Sequence, residues 1–209
     1  MIYSPREDSF LLEKEVKKYS KDKQVLDMGT GSGILALASK KAGAKSVLAV
    51  DINSESIKLL KEKGISAIKS NLFSKVNGKF DLIIFNPPYL PEDAREGKEL
   101  NLINSGGKEG DELILKFLNQ SINHLTKNGI ILLLVSSLTP QNRINTLFSK
   151  LNIEKTILST QKFFFEELQV WKITSKSKLN KSKNNLLKPF NFGENTEKLS
   201  KNIKAILYE

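Results

Sequence analysis

Apolar positions recur along the chain in two alternating rhythms. Short runs over 24–28 (QVLDM), 46–50 (SVLAV), 65–70 (ISAIKS), 80–85 (FDLIIF) and 129–137 (GIILLLVSS) have the length and β-branched content of strands buried on both faces. Between them the spacing turns helical. Residues 34–42 place Ile34, Leu35, Leu37 and Ala38 toward a sheet, and residues 54–63 place Ile57, Leu59 and Leu60 inward. Helices are also expected over 113–125 and 141–150, and at the N-terminus over 9–19. There the segment Ser4-Pro5-Arg6-Glu7 reads as a capping box, with Ser4 at the N-cap, Pro5 at the first helical position and Glu7 three residues on. Two strands without a helix between them, 153–159 and 167–174, end the series and put one antiparallel strand at that side. Alternating β and α elements with near-continuous apolar strands predict an α/β fold, a mostly parallel sheet with helices on both faces.

Composition sharpens this in three places. The chain has 209 residues, enough for one domain with an appendage. It has no Cys and one His, which removes thiol nucleophiles, disulfides, thiolate metal sites and multi-histidine metal sites. His124 falls at a helix end, where the dipole accounts for it. The net charge is +10, and residues 175–209 carry eight Lys against three Glu, half of that total. That lysine- and asparagine-rich stretch reads as a weakly ordered extension with a short helix around 198–207, and the body as a domain over 1–174. A basic tail can touch RNA, although a solvated extension is the simpler account. The N-terminus has charges within eight residues and no signal-peptide core, and no run is long and apolar enough to span a membrane, so a cytoplasmic protein is expected.

Two stretches carry chemistry. In VLDMGTGSG, residues 25–33, Gly29, Gly31 and Gly33 lie between the first strand and the helix after it. Small residues there admit a ligand close to the backbone, and a helix N-terminus presents N–H groups. The spacing is not that of dinucleotide binders. Asp27 before the turn would repel a pyrophosphate and suits a cationic ligand. Asp51, at the tip of the second strand, can accept from both hydroxyls of a ribose. The second stretch, FDLIIFNPPYLP, ends a central strand in Asn86-Pro87-Pro88-Tyr89. Prolines offer carbonyls and no N–H, so this corner supplies acceptors only. Acceptors suit a planar amide or aromatic amine, whose nitrogen must be aligned and allowed to gain positive charge. Asn86 Oδ1 can take one N–H and the Pro87 carbonyl the other, while Tyr89 packs on the amide plane and faces a cation. Trp171 reads as core, and the cluster FFFEEL at 163–168 reads as core first, with a place beneath the active site as the lesser reading. Beyond the tail the sequence shows no aromatic or basic stacking platform.

VLDMGTGSG, AVD at 49–51 and FNPPY together resemble the class I, Rossmann-like S-adenosylmethionine-dependent methyltransferases, with a seven-stranded sheet in the order 3-2-1-4-5-7-6. More narrowly, with YSPREDSFLL at 3–12 and GGKEGDELI at 106–114, they resemble HemK-type protein-glutamine methyltransferases of peptide release factors, in their archaeal and eukaryotic branch. The resemblance covers about 3–174. It implies that Asp27, Gly29, Thr30, Gly31 and Gly33 cradle the methionine part of S-adenosylmethionine. Asp51 would hold the ribose, Ile52 would lie under the adenine, and Asn71 and Leu72 would meet the adenine edge, with Asn71 where many relatives have Asp. Glu7, Asp8 and Ser9 would close over the site, and Asn86 would touch both cofactor and acceptor. Gly106, Gly107 and Gly110 would form a flexible loop on the substrate side. The implied acceptor is the glutamine amide of a release factor's Gly-Gly-Gln loop. An amino group on adenine or guanine of DNA or RNA fits the same acceptor geometry, and a non-catalytic binding module would not need the corner. The third strand would be a sheet edge, where relatives dock a small zinc-binding activator protein.

Overall fold

The computed structural model describes residues 2–89 and 105–176. Its elements run α1 (Glu7–Tyr19), β1 (Gln24–Met28), α2 (Ile34–Lys41), β2 (Ser46–Asp51), α3 (Ser54–Glu62), β3 (Ser66–Lys69), β4 (Phe80–Phe85), α4 (Glu112–Ser121), β5 (Leu125–Ser136), α5 (Asn142–Leu151), β6 (Ile153–Lys162) and β7 (Glu167–Ser175). They form one seven-stranded sheet in the order β3-β2-β1-β4-β5-β7-β6. The pairs from β3 to β5 are parallel, and β7 runs antiparallel to both β5 and β6. The order and the antiparallel strand are those expected.

Strand alternation divides the core between the two faces. Val25, Leu82, Ile84, Leu132, Leu134 and Val170 pack with Leu12 and Val16 of α1 and with Leu35 and Ala38 of α2. Ala49 and Ala67 extend that face to Ile57 and Leu60 of α3. The opposite residues, Leu26, Met28, Ile83, Phe85, Ile131, Leu133 and Trp171, meet Ile114, Phe117 and Leu118 of α4 and Ile144 and Phe148 of α5. Trp171 is fully buried, as expected.

Four details differ from the sequence expectation. The α4 helix stops at Ser121 and a 3-10 turn over Ile122–His124 leads straight into β5, which starts at Leu125 rather than Gly129. His124 stacks on Phe73, with ring centroids 4.6 Å apart, and its Nδ1 lies 3.1 Å from the Gly78 carbonyl oxygen, so packing fixes it as well as the helix end. In α2 the buried face is Leu35, Ala36, Ala38 and Ser39, while Ile34 and Leu37 are half-buried. At the N-terminus Ser4 caps nothing. The α1 helix starts at Glu7 with Arg6 at the N-cap and no side-chain cap. Asp8 Oδ1 accepts from the Ser9 N–H at 2.6 Å, so a carboxylate inside the first turn does the work assigned to Ser4. Residues 2–6 precede the helix as an irregular segment. The C-terminal stretch given a short helix above lies outside the described residues, apart from Ser175 and Lys176.

Candidate functional site

A cavity of about 860 Å³ opens at the carboxyl ends of β1, β2 and β4. The chain order reverses between β1 and β4, and ligands of open α/β sheets bind at such a point.

Its floor is the turn after β1. Gly29, Gly31 and Gly33 all have positive φ. At Gly33 a Cβ would collide with Leu60, so glycine is what lets α2 start against α3. The amides here are largely spent within the protein. The Gly31 N–H donates to Asp51 Oδ2 at 2.8 Å, the Gly33 N–H to the Thr30 carbonyl at 2.8 Å, and the Thr30 N–H to the Val50 carbonyl at 3.0 Å. The turn is thus a rigid shelf rather than a nest of free donors.

Asp27 does not line the cavity. It is fully buried behind the shelf, where its Oδ2 accepts from Thr30 Oγ1 at 2.5 Å and from the Ala36 N–H at 3.0 Å. Its Oδ1 is buried without a partner. Burial pushes its carboxyl up to about 7, against the downward pull of the two hydrogen bonds. Asp51 does face the cavity. Its Oδ1 accepts from the Asn53 N–H at 2.8 Å, so both of its oxygens are fixed by backbone and each keeps a lone pair directed elsewhere. Beside it Ile52 is half exposed, Asn71 is exposed and Leu72, at φ 48°, is buried; all three line the cavity.

The opposite wall is the β4 corner and the start of α1. Asn86 Nδ2 donates to Asp8 Oδ2 at 2.8 Å and lies 3.5 Å from Ser9 Oγ. Tyr3 donates to the same Asp8 oxygen at 3.0 Å. Burial, then the neighbouring Asp8 charge, push the Tyr3 phenol upward and keep it a donor. A carboxylate cannot donate, so it fixes which end of the Asn86 amide faces it. Asn86 Oδ1 then points away, and it is buried with no partner. Asp8 and Ser9 are buried, and with Glu7 they form part of the cavity wall.

Pro87 is buried, while Pro88 and Tyr89 are half-buried along the cavity. Burial, and next the adjacent Glu166 charge, raise the Tyr89 phenol. Gly106 and Gly107 are not in the cavity wall. They pack behind the corner: a Cβ on Gly106 would come within 2.9 Å of the Pro88 carbonyl oxygen, and one on Gly107 within 2.5 Å of Glu112 Oε2. The Ser105 side chain and the Leu113 N–H bond this loop at both ends, so its described part is a buttress rather than an open flap.

The third wall follows the lesser of two expectations. Phe163, Phe164 and Phe165 are 40, 92 and 83% exposed and line the cavity mouth with Glu166, so the core role preferred for them is wrong, and exposed aromatic surface exists outside the tail. The signal was present: three consecutive aromatics cannot all face one side of a strand pair whose side chains alternate. Tyr3 was also missed, because its role depends on a contact across the start of α1.

A family model described as "Methyltransferase small domain" matches residues 7–165. A Methanocaldococcus jannaschii protein provisionally named as a protein N5-glutamine methyltransferase is 41% identical over 177 residues, which are 81% of this chain and 89% of that one. A release factor glutamine methyltransferase of Lactococcus lactis is 28% identical over 185 residues, covering 81% of this chain and 68% of its own. A solved structure, the E. cuniculi Mtq2–Trm112 complex responsible for methylating the translation termination factor eRF1, aligns with a TM-score of 0.66 at 25% identity, covering 84% of this chain and 99% of the matched one. The chain belongs to the methyltransferase small domain family and is a class I, Rossmann-like methyltransferase.

Proposed function

We propose that the chain transfers a methyl group from S-adenosylmethionine to the side-chain amide nitrogen of the glutamine in a Gly-Gly-Gln loop of a peptide chain release factor. One observation carries this: Asn86 Oδ1 is a buried acceptor, fixed in orientation by Asp8 and left without a partner. A buried acceptor left open costs free energy unless a ligand supplies the donor. A primary amide N–H does so, and the Pro87 carbonyl can take the second. The names of the relatives support the acceptor, since two are glutamine methyltransferases and one matched structure methylates a termination factor.

The cavity suits the cofactor. Asp51 offers fixed oxygens to a pair of hydroxyls, Ile52 an apolar surface to a flat base, and Asn71 an amide to its edge. S-adenosylmethionine supplies an electrophilic methyl group on a positively charged sulfur. The residues of the chain orient and exclude. Asn86 holds the acceptor nitrogen in line and Tyr89 packs on the amide plane. The two prolines keep competing donors away from a nitrogen that becomes positive. Catalysis is then mostly positioning and electrostatics, and the displaced proton leaves to water.

The test is to incubate the protein with S-adenosylmethionine and a release factor of the same organism and map the product by mass spectrometry. One methyl group on the Gly-Gly-Gln glutamine is expected. A methyl group placed only on DNA or RNA amines would refute the assignment.

We further infer a small zinc-binding partner at β3, and a cytoplasmic site of action beside translation termination. β3 hydrogen-bonds to β2 on one side only among the described residues, and the matched Mtq2 was solved as a complex with Trm112. Among the described residues no helix is long and apolar enough to cross a membrane. Copurification of a tagged chain with such a partner is expected. Full activity of a monodisperse chain, unchanged by the coexpressed partner, would count against it.

A further inference from the structure

The β6–β7 hairpin presents something the methyl-transfer chemistry does not use. Phe164 and Phe165 stand nearly bare at its tip, 92 and 83% exposed, with their rings 4.5 Å apart and crossed at 88°. An isolated exposed phenylalanine needs no explanation, but two packed together at a cavity mouth form a contiguous apolar knob. The knob is rigidly placed. The Phe163 N–H donates to the Glu166 carbonyl at 2.7 Å and closes the turn. The Ser137 N–H donates to the Glu167 carbonyl at 2.8 Å, and Ser137 Oγ accepts from the Glu167 N–H at 2.9 Å. Ser136 Oγ donates to Glu166 Oε1 at 2.6 Å, and Glu166 shares the cavity lining with Tyr89 of the catalytic corner. Glu166 therefore joins the hairpin to the end of β5 beside the corner.

We propose that this hairpin is a protein-docking element: Phe164 and Phe165 seat an apolar patch of the substrate polypeptide next to its acceptor side chain, at the mouth of the cavity that Tyr89 also lines. The proposal deepens the glutamine-methyltransferase reading and rests on it for the location of the acceptor. The occupant is a folded polypeptide rather than a nucleic acid for two reasons. Glu166 and Glu167 follow the phenylalanines, and Lys162 on the incoming strand lies 3.9 Å from the Glu167 carboxylate, so among the described residues the tip carries more acidic than basic groups and disfavours phosphate. The rings are also crossed at 88°, so they offer no pair of parallel faces on which successive bases could stack. A knob at the cavity mouth touches what lies around the acceptor residue, so it reads the substrate surface rather than the reacting amide.

The test compares the wild type with a Phe164→Ser, Phe165→Ser double variant on an intact release factor. Both side chains are exposed, and an unchanged melting temperature checks that the fold is kept. We expect KM for the release factor to rise at least 10-fold, with cofactor affinity by calorimetry within twofold. Phe164→Leu, Phe165→Leu, which restores apolar area, should recover most of the loss. An unchanged KM overturns the proposal. The second arm separates it from the identity of the acceptor. In a cell extract of the source organism lacking this enzyme, with methyl-labelled S-adenosylmethionine, wild-type protein should label polypeptide and the serine variant much less. Label on a polypeptide other than a release factor, lost in the variant, keeps the docking role and refutes only the acceptor assignment. Undiminished labelling by the variant, label confined to nucleic acid, or no polypeptide label from the wild type overturns the docking role.

Discussion

The two ends of the cavity are built on opposite terms. At the β1–β2 end the shelf that faces the cavity is bonded internally, although Asp27 Oδ1 beneath it stays unpaired: the Gly31 and Asn53 amides hold both Asp51 oxygens, and the Gly33 and Thr30 amides are bonded within the protein. At the β4 end it leaves things open: Asn86 Oδ1 is buried and unpaired, and two phenylalanines are bare to solvent. The first arrangement makes a rigid shelf whose remaining lone pairs are aimed in advance. The second defers part of its stabilisation until the other reactant arrives. A shelf of this kind should govern affinity for the shared cofactor, and the open end should govern rate and choice of acceptor.

Asn86→Ala should break the open end most severely. It removes one preorganised acceptor from a site that excludes water, and the methyl-transfer rate should fall at least ~100-fold. Cofactor affinity should move by less than about 1 kcal/mol, because Asp51 is untouched. Single-turnover rates beside calorimetry would check this. Near-normal turnover would reduce the Asn-Pro-Pro-Tyr corner to a structural turn.

Asp51→Ala should do the reverse. Losing charge-assisted hydrogen bonds to two hydroxyls should weaken S-adenosylmethionine binding by about 1.5–3 kcal/mol. It also frees the Gly31 and Asn53 amides, so the shelf should loosen while the sheet beneath it stays folded. Calorimetry and circular dichroism on the same sample separate the two effects. Unchanged affinity would remove Asp51 from the cofactor site.

Asp27 lies under the shelf and gives a pH signature. Its folded-state pKa of about 7 lies above the ordinary carboxylate value of 3.8 because burial penalises the charge. The protonated form is thus favoured by folding. That contribution is fully present below about pH 4 and is lost as pH rises toward and through 7. Asp27→Asn keeps an acceptor for Thr30 and Ala36 and cannot ionise. Relative to the variant, the wild type should lose stability between pH 4 and 7 by at least ~1.4 kcal/mol, the equivalent of one pKa unit. Parallel denaturant titrations across that range would show a gap independent of pH if Asp27 ionises freely.

The sheet was legible because each strand is a short apolar run between turn signals, and because the two final strands lack a helix between them. Strand β5 was read too short because Leu125-Thr126-Lys127-Asn128 is polar and resembles a loop. The β4 pairing shifts register between Phe80 and Leu82, so Leu125 pairs with Phe80 and the next β4 partner is Ile130, the residues between them being passed over. Local motifs brought out Asp51, the glycine shelf and Asn86 because adjacent residues carry their chemistry. What stayed hidden are the distant contacts: the hold of Asp8, itself expected at the site, on Asn86, 78 positions away, and that of Glu166 on Ser136, 30 positions away. Asp27 looked like a ligand in one dimension, yet in a β-strand with both faces covered its side chain turns inward under Thr30.

Tyr89→Phe is the mildest of these changes, and it distinguishes two uses of one ring. If Tyr89 acts by lying on the substrate amide and facing the sulfonium, the phenyl ring does nearly all of it, and the rate should fall only a few-fold. The hydroxyl stands near the Glu166 charge on the hairpin side of the corner. Losing a neutral polar group there should cost about 1 kcal/mol or less. That cost should appear in KM for the intact release factor rather than in cofactor affinity, because the hydroxyl faces the hairpin and not the shelf. Glu166→Gln, which keeps a hydrogen-bonding group in place, should be milder still. A Tyr89→Phe enzyme slowed as much as Asn86→Ala would mean that the hydroxyl itself touches the reacting amide. The division between a cofactor shelf and a separately tethered acceptor wall would then have to be redrawn around Tyr89.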